Sequence, residues 1–347
     1  MERKLATIRK IDSIEPIDGA DRIVLANIGG WKVVTAKDNN FKPNDLCVYF
    51  EIDSWIPTKI SPYLSKDKTP RIYNGVSGER LNTIKLRGQI SQGLIIPINQ
   101  LNELNELEII EGLDLTEILG ILKWERVMPA HLAGFCEGNF PNYIQKTDQE
   151  RCQNLKRELI EARDNGSVFE VTVKLDGSSM TIYNNYGKPG VCSRNLELKL
   201  EQTGNTFVDV AVDTKLLTNY SIPNYAFQGE LIGPGIQDNV EGLIKPEFRV
   251  FDIYDIDNQN YLNSKDRLKA IFDYKENYEI DLKHVPIEYE TWSIPKEWSD
   301  EEIIPNLLKL AEGKNSANNE REGLVFKRND GKFSFKAISN KFLFNEK

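Results

Sequence analysis

Apolar and polar positions follow two different patterns along this chain. From Met1 to about Leu122 the apolar residues come in short runs with a period near two: KLATIRKIDSIEPI, RIVLANIGGWKVVTA, DLCVYFEI, RLNTIKLR and GLIIPI. Such alternation marks strands with one face buried. Gly29-Gly30 and Pro43-Asn44-Asp45 supply turns, and about five short strands in this length predict a small β-barrel. Asn102 to Gly120, rich in Leu, Ile and Glu, fits either a helix or a loop. Lys123 to Asn139 shows no period and reads as a linker. Beyond it strands and helices alternate irregularly. VFEVTVKL, SMTIYNN, NYAFQGELI, EFRVFDIYDI, GLVFKR and FSFKAI read as strands. A helix is expected over Asp148 to Arg163, with Leu155, Leu159 and Ile160 on one face and Asn165-Gly166 ending it. TFVDVAVDTKLL, SKDRLKAIFDY and DEEIIPNLLKLAEG follow as helices, the second capped by Ser264 and the third begun by Ser299 with acidic residues behind it. The pattern describes an α+β protein: a barrel over 1–122, a linker over 123–139 and a second domain over 140–347.

Composition narrows what such a protein does. At 347 residues and 40% hydrophobic the chain has room for two ordinary cores. It contains no stretch of about 18 apolar residues, and its charged start, MERKLATIRK, lacks a cleavable apolar leader. A soluble, intracellular protein of the cytoplasm or nucleus is expected, with no membrane partner. Cys47, Cys136, Cys152 and Cys192 form no CxxC pair, and only His131 and His284 are available beside them. A thiolate or imidazole metal cage is thereby excluded. Any divalent metal would be a hard ion on carboxylates, water and phosphate, namely magnesium or manganese. The net charge of -9 argues against a protein that coats nucleic acid but leaves room for a local basic groove. Lys and Arg are interspersed with Asp and Glu, so the sum speaks to solubility more than to any site.

The sharpest chemical feature is Val171-Thr-Val-Lys174-Leu175-Asp176-Gly177-Ser178-Ser179, a lysine ending a β-rich run and followed by Asp-Gly. Alone it is weak, because Lys-x-Asp-Gly arises by chance in roughly one chain in ten or twenty of this size. An ordinary strand-to-turn junction is the plain alternative. Its order relative to other segments changes the odds: Ser193-Arg194-Asn195, Phe227-Gln-Gly229-Glu230, Phe248-Arg249-Val-Phe251-Asp252, Glu322-Gly323-Leu-Val-Phe-Lys327 and Phe335-Lys336. In order and spacing these resemble motifs I, Ia, III, IIIa, IV and V of the covalent nucleotidyltransferases, the superfamily of ATP-dependent ligases and mRNA capping enzymes.

Physical chemistry asks for these residue types. A lysine with a pKa near 10.4 is neutral in about one molecule in a few thousand at pH 7, so a nucleophilic lysine needs desolvation or nearby cations. Lys327, Lys336 and a metal are the expected suppliers. Charge on the phosphate oxygens of ATP must be met by cations placed in advance, and Lys327, Lys336 and Arg194 are the candidates. Asp176, Glu230 and Glu322 make sense beside polyanions if they hold a hydrated metal or ribose hydroxyls; surface salt bridges are the plain alternative. Arg249 and Phe251 fall on one face of their strand, Phe248 and Val250 on the other.

The chain soon ends after Lys336, and its extra domain lies at the front. That arrangement resembles the Deinococcus-type RNA ligases, with an N-terminal OB-like β-barrel and a C-terminal antiparallel-sheet, ATP-grasp-like adenylyltransferase domain. IEPIDGADRI, LRGQISQGLI and FPNYIQKTDQERCQNL carry the same likeness. The resemblance implies Lys174 as nucleophile, Asp176 and Glu322 as ligands of metal-bound water, and Glu230 on the ribose or metal. Leu175, Gly177, Arg194, Asn195, Lys327 and Lys336 would line the nucleotide, with Phe251 on the adenine or, alternatively, in the core. The family's second motif V lysine is absent, since Lys336 is followed by Ala337-Ile338, and Lys341 or Lys332 would have to replace it. Lys146, Arg151, Gln153 and Asn154 would approach the nucleotide or an RNA 5′-phosphate, unless they form a solvated helix start. In the barrel, Trp31, Tyr49 and Trp55 with Arg9, Lys10, Lys85 and Arg87 would offer RNA a surface, core packing being the other reading of the tryptophans. The implied activity is that of a monomeric RNA ligase (ATP) in RNA repair, sealing 3′-hydroxyl and 5′-phosphate ends of nicked duplex through a lysyl-AMP. The rivals are a GTP-dependent capping guanylyltransferase and an inactive nucleic-acid-binding protein.

Overall fold

Period-two runs become strands throughout the computed structural model, which describes residues 3–65, 68–124, 134–201, 204–218 and 223–345. His131 and residues 125–133 of the expected linker lie outside the described residues. The chain divides into two compact units, 1–127 and 128–347.

In the first unit, the strand Leu46–Phe50 lies between Ala6–Lys10 and Leu94–Pro97, antiparallel to both. Alternation along it feeds two cores. Val48 and Phe50 join Ile8, Ile96 and Leu115, while Cys47 and Tyr49 join Ile11, Trp31 and Val33. Ser13–Pro16, Ile23–Ile28 and Trp31–Ala36 form a meander whose Gly29-Gly30 turn has both residues at positive φ, matching the twist of paired strands. A third sheet runs Leu122–Lys123, Ser54–Pro57, Val76–Arg80 and Arg71–Tyr73, and Ile84–Leu86 with Gln89–Ser91 make a separate hairpin. The expected aromatic surface is overturned: Trp31, Tyr49 and Trp55 are 0%, 1% and 2% exposed. Their polar atoms are met inside, Tyr49 Oη donating to the Gln92 carbonyl at 2.8 Å and Trp55 Nε1 to that of Val76 at 3.0 Å. Asn102 to Gly120 forms a loop with the short 3-10 turn Asn102–Leu104 and a single bridge from Asp114 to Thr7, and Leu104, Leu115 and Leu119 are buried.

The second unit is built on two mainly antiparallel sheets. One orders Cys136–Asn139, Leu196–Leu198, Lys188–Cys192, Ser178–Asn185, Tyr225–Ile232, Glu247–Asp255 and Asn260–Tyr261, with Lys283–His284 parallel to Glu247–Asp255. The other orders Glu150–Arg151, Ser334–Ile338, Gly323–Arg328, Phe169–Lys174 and Ile287–Trp292. Helices Lys156–Asp164 and Ile303–Ala311 bury Leu159, Leu307 and Leu308 against Phe169, Phe326 and Phe335 of the second sheet. Thr206–Asp213 and Ser264–Tyr278 cover the first. The remaining faces of the two sheets meet, Leu175 packing with Ile232 and Val285. Among the described residues no helix is long and apolar enough to cross a membrane.

Several helix starts differ from expectation. The first begins at Lys156 and not near Asp148, because Glu150 and Arg151 pair in parallel with Phe335 and Lys336. Asn263, not Ser264, caps Ser264–Tyr278 by accepting from the Asp266 amide, and Ser264 Oγ donates to Glu170. A short helix, Asn340–Asn345, follows the last strand.

Candidate active site

Lys174 ends the strand Phe169–Lys174, in register with Gly323, so the turn Leu175-Asp176-Gly177 carries the chain from one sheet into the other. Gly177 is required there by close approach: a Cβ would stand 2.4 Å from the Leu231 carbonyl oxygen and 2.9 Å from Glu230 Cγ. Glu230 lies on the neighbouring strand, opposite Ser179 and Arg249. Glu322 immediately precedes the strand Gly323–Arg328, and its carboxylate accepts from Lys174 Nζ at 2.8 Å. Asp176, Glu230 and Glu322 thus surround one amine from three different segments.

The charge balance around Lys174 is negative. Burial opposes its charge, yet Glu322, Glu230 and Asp176 outweigh burial and hold the amine above the usual lysine value. Among the protein's own charges the carboxylates prevail at Lys174, so the expected metal ion is the cation that would have to oppose them. Glu230 shows the same imbalance from the other side. Burial pushes its carboxyl up to about 8; Lys174 opposes this, while Glu322 and Asp176 reinforce it. Three carboxyls share one lysine, a donor set that invites a further positive charge. Among the described residues no group of three His, Cys, Asp or Glu side chains is placed to hold a metal ion, and the oxygen-only donors Asp176, Glu230 and Glu322 are of the kind a hard divalent ion takes.

Lys336 and Arg194 come together where the sequence singled out no partner: both reach Asp148, at 3.2 Å and 3.5 Å. Beside them Lys146 donates to Asn195 at 2.9 Å, and Arg151 stands in register with Lys336 on the adjoining strand. Gln153 is instead buried, and Asn154 donates to Glu150 at 3.0 Å. The position a second motif V lysine would take is Ile338, which is buried. Lys341 pairs with Glu312 at 2.8 Å, and Lys332 is exposed in the turn before the last strand.

Phe251 packs against the cluster of Leu175, Ile232 and Val285. It sits in a β-bulge, since Gln228 pairs with Asp252 and Gly229 with Val250, and the extra residue lets Phe251 and Asp252 serve the same cleft. Lys327 has partners of its own. It donates to the Phe251 carbonyl at 2.6 Å, pairs with Asp252 at 2.7 Å, and lies 5.4 Å from the Phe251 ring centre. Burial pushes Lys327 below the usual lysine range, Asp252 pulling against it. Lys327 belongs to a buried network missed in the sequence. Arg267 pairs with Glu170 and lies 3.7 Å from Asp252, and its Nε donates to His284 Nε2 at 3.1 Å. Because guanidinium only donates, Nε2 is bare and Nδ1 donates to the Val285 carbonyl. Burial and Arg267 push His284 down to about 4, so it is neutral. Period two alone puts Glu170 on the Lys174 face, and that was the available signal.

Comparison with known proteins gives this geometry its context. An OB-fold domain model matches residues 5–98, and an RNA ligase model matches residues 167–338. No curated protein matches the chain. Solved structures of Naegleria gruberi RNA ligase are 44% identical to it: a variant with AMP and manganese, covering 99% of each chain at TM-score 0.84, and a variant with ATP and manganese, covering 99% of each at 0.83. The form with pyrophosphate covers 99% of this chain and 98% of the other at 0.82. A likeness of that degree over the whole chain, joined to a family model spanning the strands of Lys174 and Glu322, shows that this chain belongs to the RNA ligase family, with an N-terminal OB-fold.

Proposed function

We propose that this protein is an ATP-dependent RNA ligase of the RNA ligase (ATP) subclass, sealing 3′-hydroxyl and 5′-phosphate ends at nicks in RNA repair. The observation that carries this reading is the single amine of Lys174, 2.8 Å from Glu322 and crowded by Glu230 and Asp176. The N. gruberi enzyme has been captured with ATP, AMP, pyrophosphate and manganese, which supports the same nucleotide here.

In the first step Lys174 Nζ attacks the α-phosphorus of ATP. An N–P bond forms, the α–β bridge breaks, and pyrophosphate leaves with the electron pair. The Lys174 proton must leave first, and Glu322 is the acceptor within reach. Lys336 and Arg194 exchange Asp148 for phosphate oxygens, with Lys146, Asn195 and Arg151 alongside. Leu175, Gly177 and Phe251 form the wall for the base, and Lys327 fixes Phe251 by holding its carbonyl and Asp252. A divalent ion, magnesium or manganese, supplies charge neutralisation when bound, and Asp176, Glu230 and Glu322 would hold it through water. AMP then passes to an RNA 5′-phosphate oxygen, returning Lys174. Attack by the 3′-hydroxyl forms the phosphodiester and releases AMP. The N-terminal unit, 1–122, would bind the RNA backbone, ahead of a linker over 123–139 and a transferase domain over 140–347.

The test is to incubate the protein with α-labelled ATP and magnesium or manganese. Label that survives denaturation and alkali but is released by acid, as a phosphoramidate is, is expected on the wild type and none on Lys174→Ala. Folded wild-type protein that takes no label from ATP, or takes it from GTP instead, ends the proposal.

A further inference from the structure

Between the strands Tyr225–Ile232 and Glu247–Asp255 the chain makes a long loop without a helix or strand of its own. Its ends are pinched together, since a Cβ on Gly233 would stand 2.8 Å from the Lys245 carbonyl oxygen. Compact loops closed in this way are often functional. The loop is fixed from within and from both sides. Asn239 donates to the Leu243 carbonyl at 3.0 Å and accepts from the Leu243 amide at 3.1 Å. The Val240 carbonyl accepts from Asn315 at 2.9 Å and Asn319 at 2.7 Å. Gln237 reaches the Gly177 carbonyl, three residues beyond Lys174, at 3.3 Å. Gln237 and Asn239 both take positive φ, 45° and 48°, a conformation unfavourable for side chains with a Cβ and maintained here by these bonds.

What the loop presents is unusual. Leu243 turns inward and packs on Leu175, Ile232 and Val285, the cluster that Phe251 also joins. The next residue, Ile244, is 97% exposed, more than any other large apolar side chain among the described residues. Lys245 beside it is exposed as well. Single apolar side chains on a surface are ordinary. This one sits on an immobilised loop, one residue from the wall of the nucleotide site, where it contributes no burial to the fold.

We propose that Ile244 is an RNA-positioning residue: it packs against the terminal base of the RNA end brought to the adenylated Lys174, with Lys245 facing the adjoining phosphate. The inference deepens the ligase reading and rests on it. An aliphatic surface next to an ammonium matches a nucleotide, whose flat base is apolar on its face and whose backbone is anionic.

The experiment compares the full-length wild type with Ile244→Ser and Ile244→Leu in two assays, lysyl-AMP formation from α-labelled ATP and sealing of a nicked RNA duplex with 5′-phosphate and 3′-hydroxyl ends. For Ile244→Ser, label should form within about twofold of wild type, whereas KM for the RNA should rise roughly tenfold with kcat little changed, the size expected for losing one base contact. Ile244→Leu should restore most of the loss. An unchanged KM for RNA overturns the proposal, and so does a parallel fall in lysyl-AMP formation, which would place Ile244 in service of the nucleotide or the fold. Loss of self-association in sedimentation with RNA sealing intact would assign the residue to a protein contact and overturn it too. A wild type that forms no lysyl-AMP refutes the ligase reading itself and this proposal with it.

Discussion

A lysine among three carboxyls is stored as a cation, while burial, reinforced by the two neighbouring carboxyls, falls on Glu230. Its carboxyl titrates near 8 in the folded protein against an ordinary 4.5. A raised carboxyl pKa favours folding while the group is protonated, so its contribution is complete below about 4.5 and lost as pH rises through 8. Wild-type stability should therefore fall relative to Glu230→Gln between pH 5 and 8, by on the order of a few kcal/mol. Urea unfolding of both proteins across that range measures it. A difference independent of pH would show that Glu230 is ionised throughout. The same balance explains why Lys174 cannot act unaided: its charge persists until positive charge from outside offsets the carboxylates beside it, Glu322 first.

At the scale of elements, what could be read from sequence depended on whether the cause was local. The strands Phe169–Lys174, Tyr225–Ile232 and Gly323–Arg328 followed from period two, and the motif residues fell at their ends. Helix starts and the buried network did not follow, because Glu150-Arg151 is set by a parallel partner over a hundred residues away and Arg267 by Glu170 and His284 on other elements. Nor can a bulge at Phe251 be seen without its partner strand. Gly323 shows a tertiary cause behind a sequence motif: a Cβ there would stand 2.2 Å from the Ala337 carbonyl oxygen. Gly323→Ala should force apart the strands that carry Glu322 and Lys336, costing about 1–3 kcal/mol and lowering the melting temperature. The network makes a second case. Arg267→Met leaves Glu170 and Asp252 with Lys327 as their remaining cation and should cost about 3–5 kcal/mol, while adding Glu170→Gln should recover part of the loss. A double variant no more stable than the single, by calorimetry, would place the cost in packing and not in unpaired charge.

For the whole molecule, the mixing of charges seen at short range gives way to segregation. Between Ser54 and Asn102 there are seven Lys or Arg against two Asp or Glu, a net +5, so the rest of the chain carries -14 within the total of -9. Several of these cations are engaged: Arg71 with Glu79 at 2.7 Å, Arg80 with Asp53 at 2.5 Å, Lys59 with Glu103 at 3.5 Å. Lys85 and Arg87 lie exposed on the hairpin of Ile84–Leu86 and Gln89–Ser91. Arg87 occupies its two-residue turn at φ 49°, a place where Asn or Gly is usual. An arginine there accepts strain and sets its guanidinium at the tip of the hairpin. If the N-terminal unit holds the RNA backbone, these two side chains release counterions on binding, and each phosphate contact contributes roughly 0.7 to 0.9 to the slope of log K against log salt. Lys85→Gln with Arg87→Asn should therefore flatten that slope by about 1.4 to 1.8, weaken RNA binding at low salt, and leave lysyl-AMP formation unchanged. Because Asn suits positive φ better than Arg, the variant should fold at least as well as the wild type. An unaltered salt slope would mean that the RNA backbone is held elsewhere, and that the acid-poor stretch serves only to balance a chain whose remainder is acidic in sum.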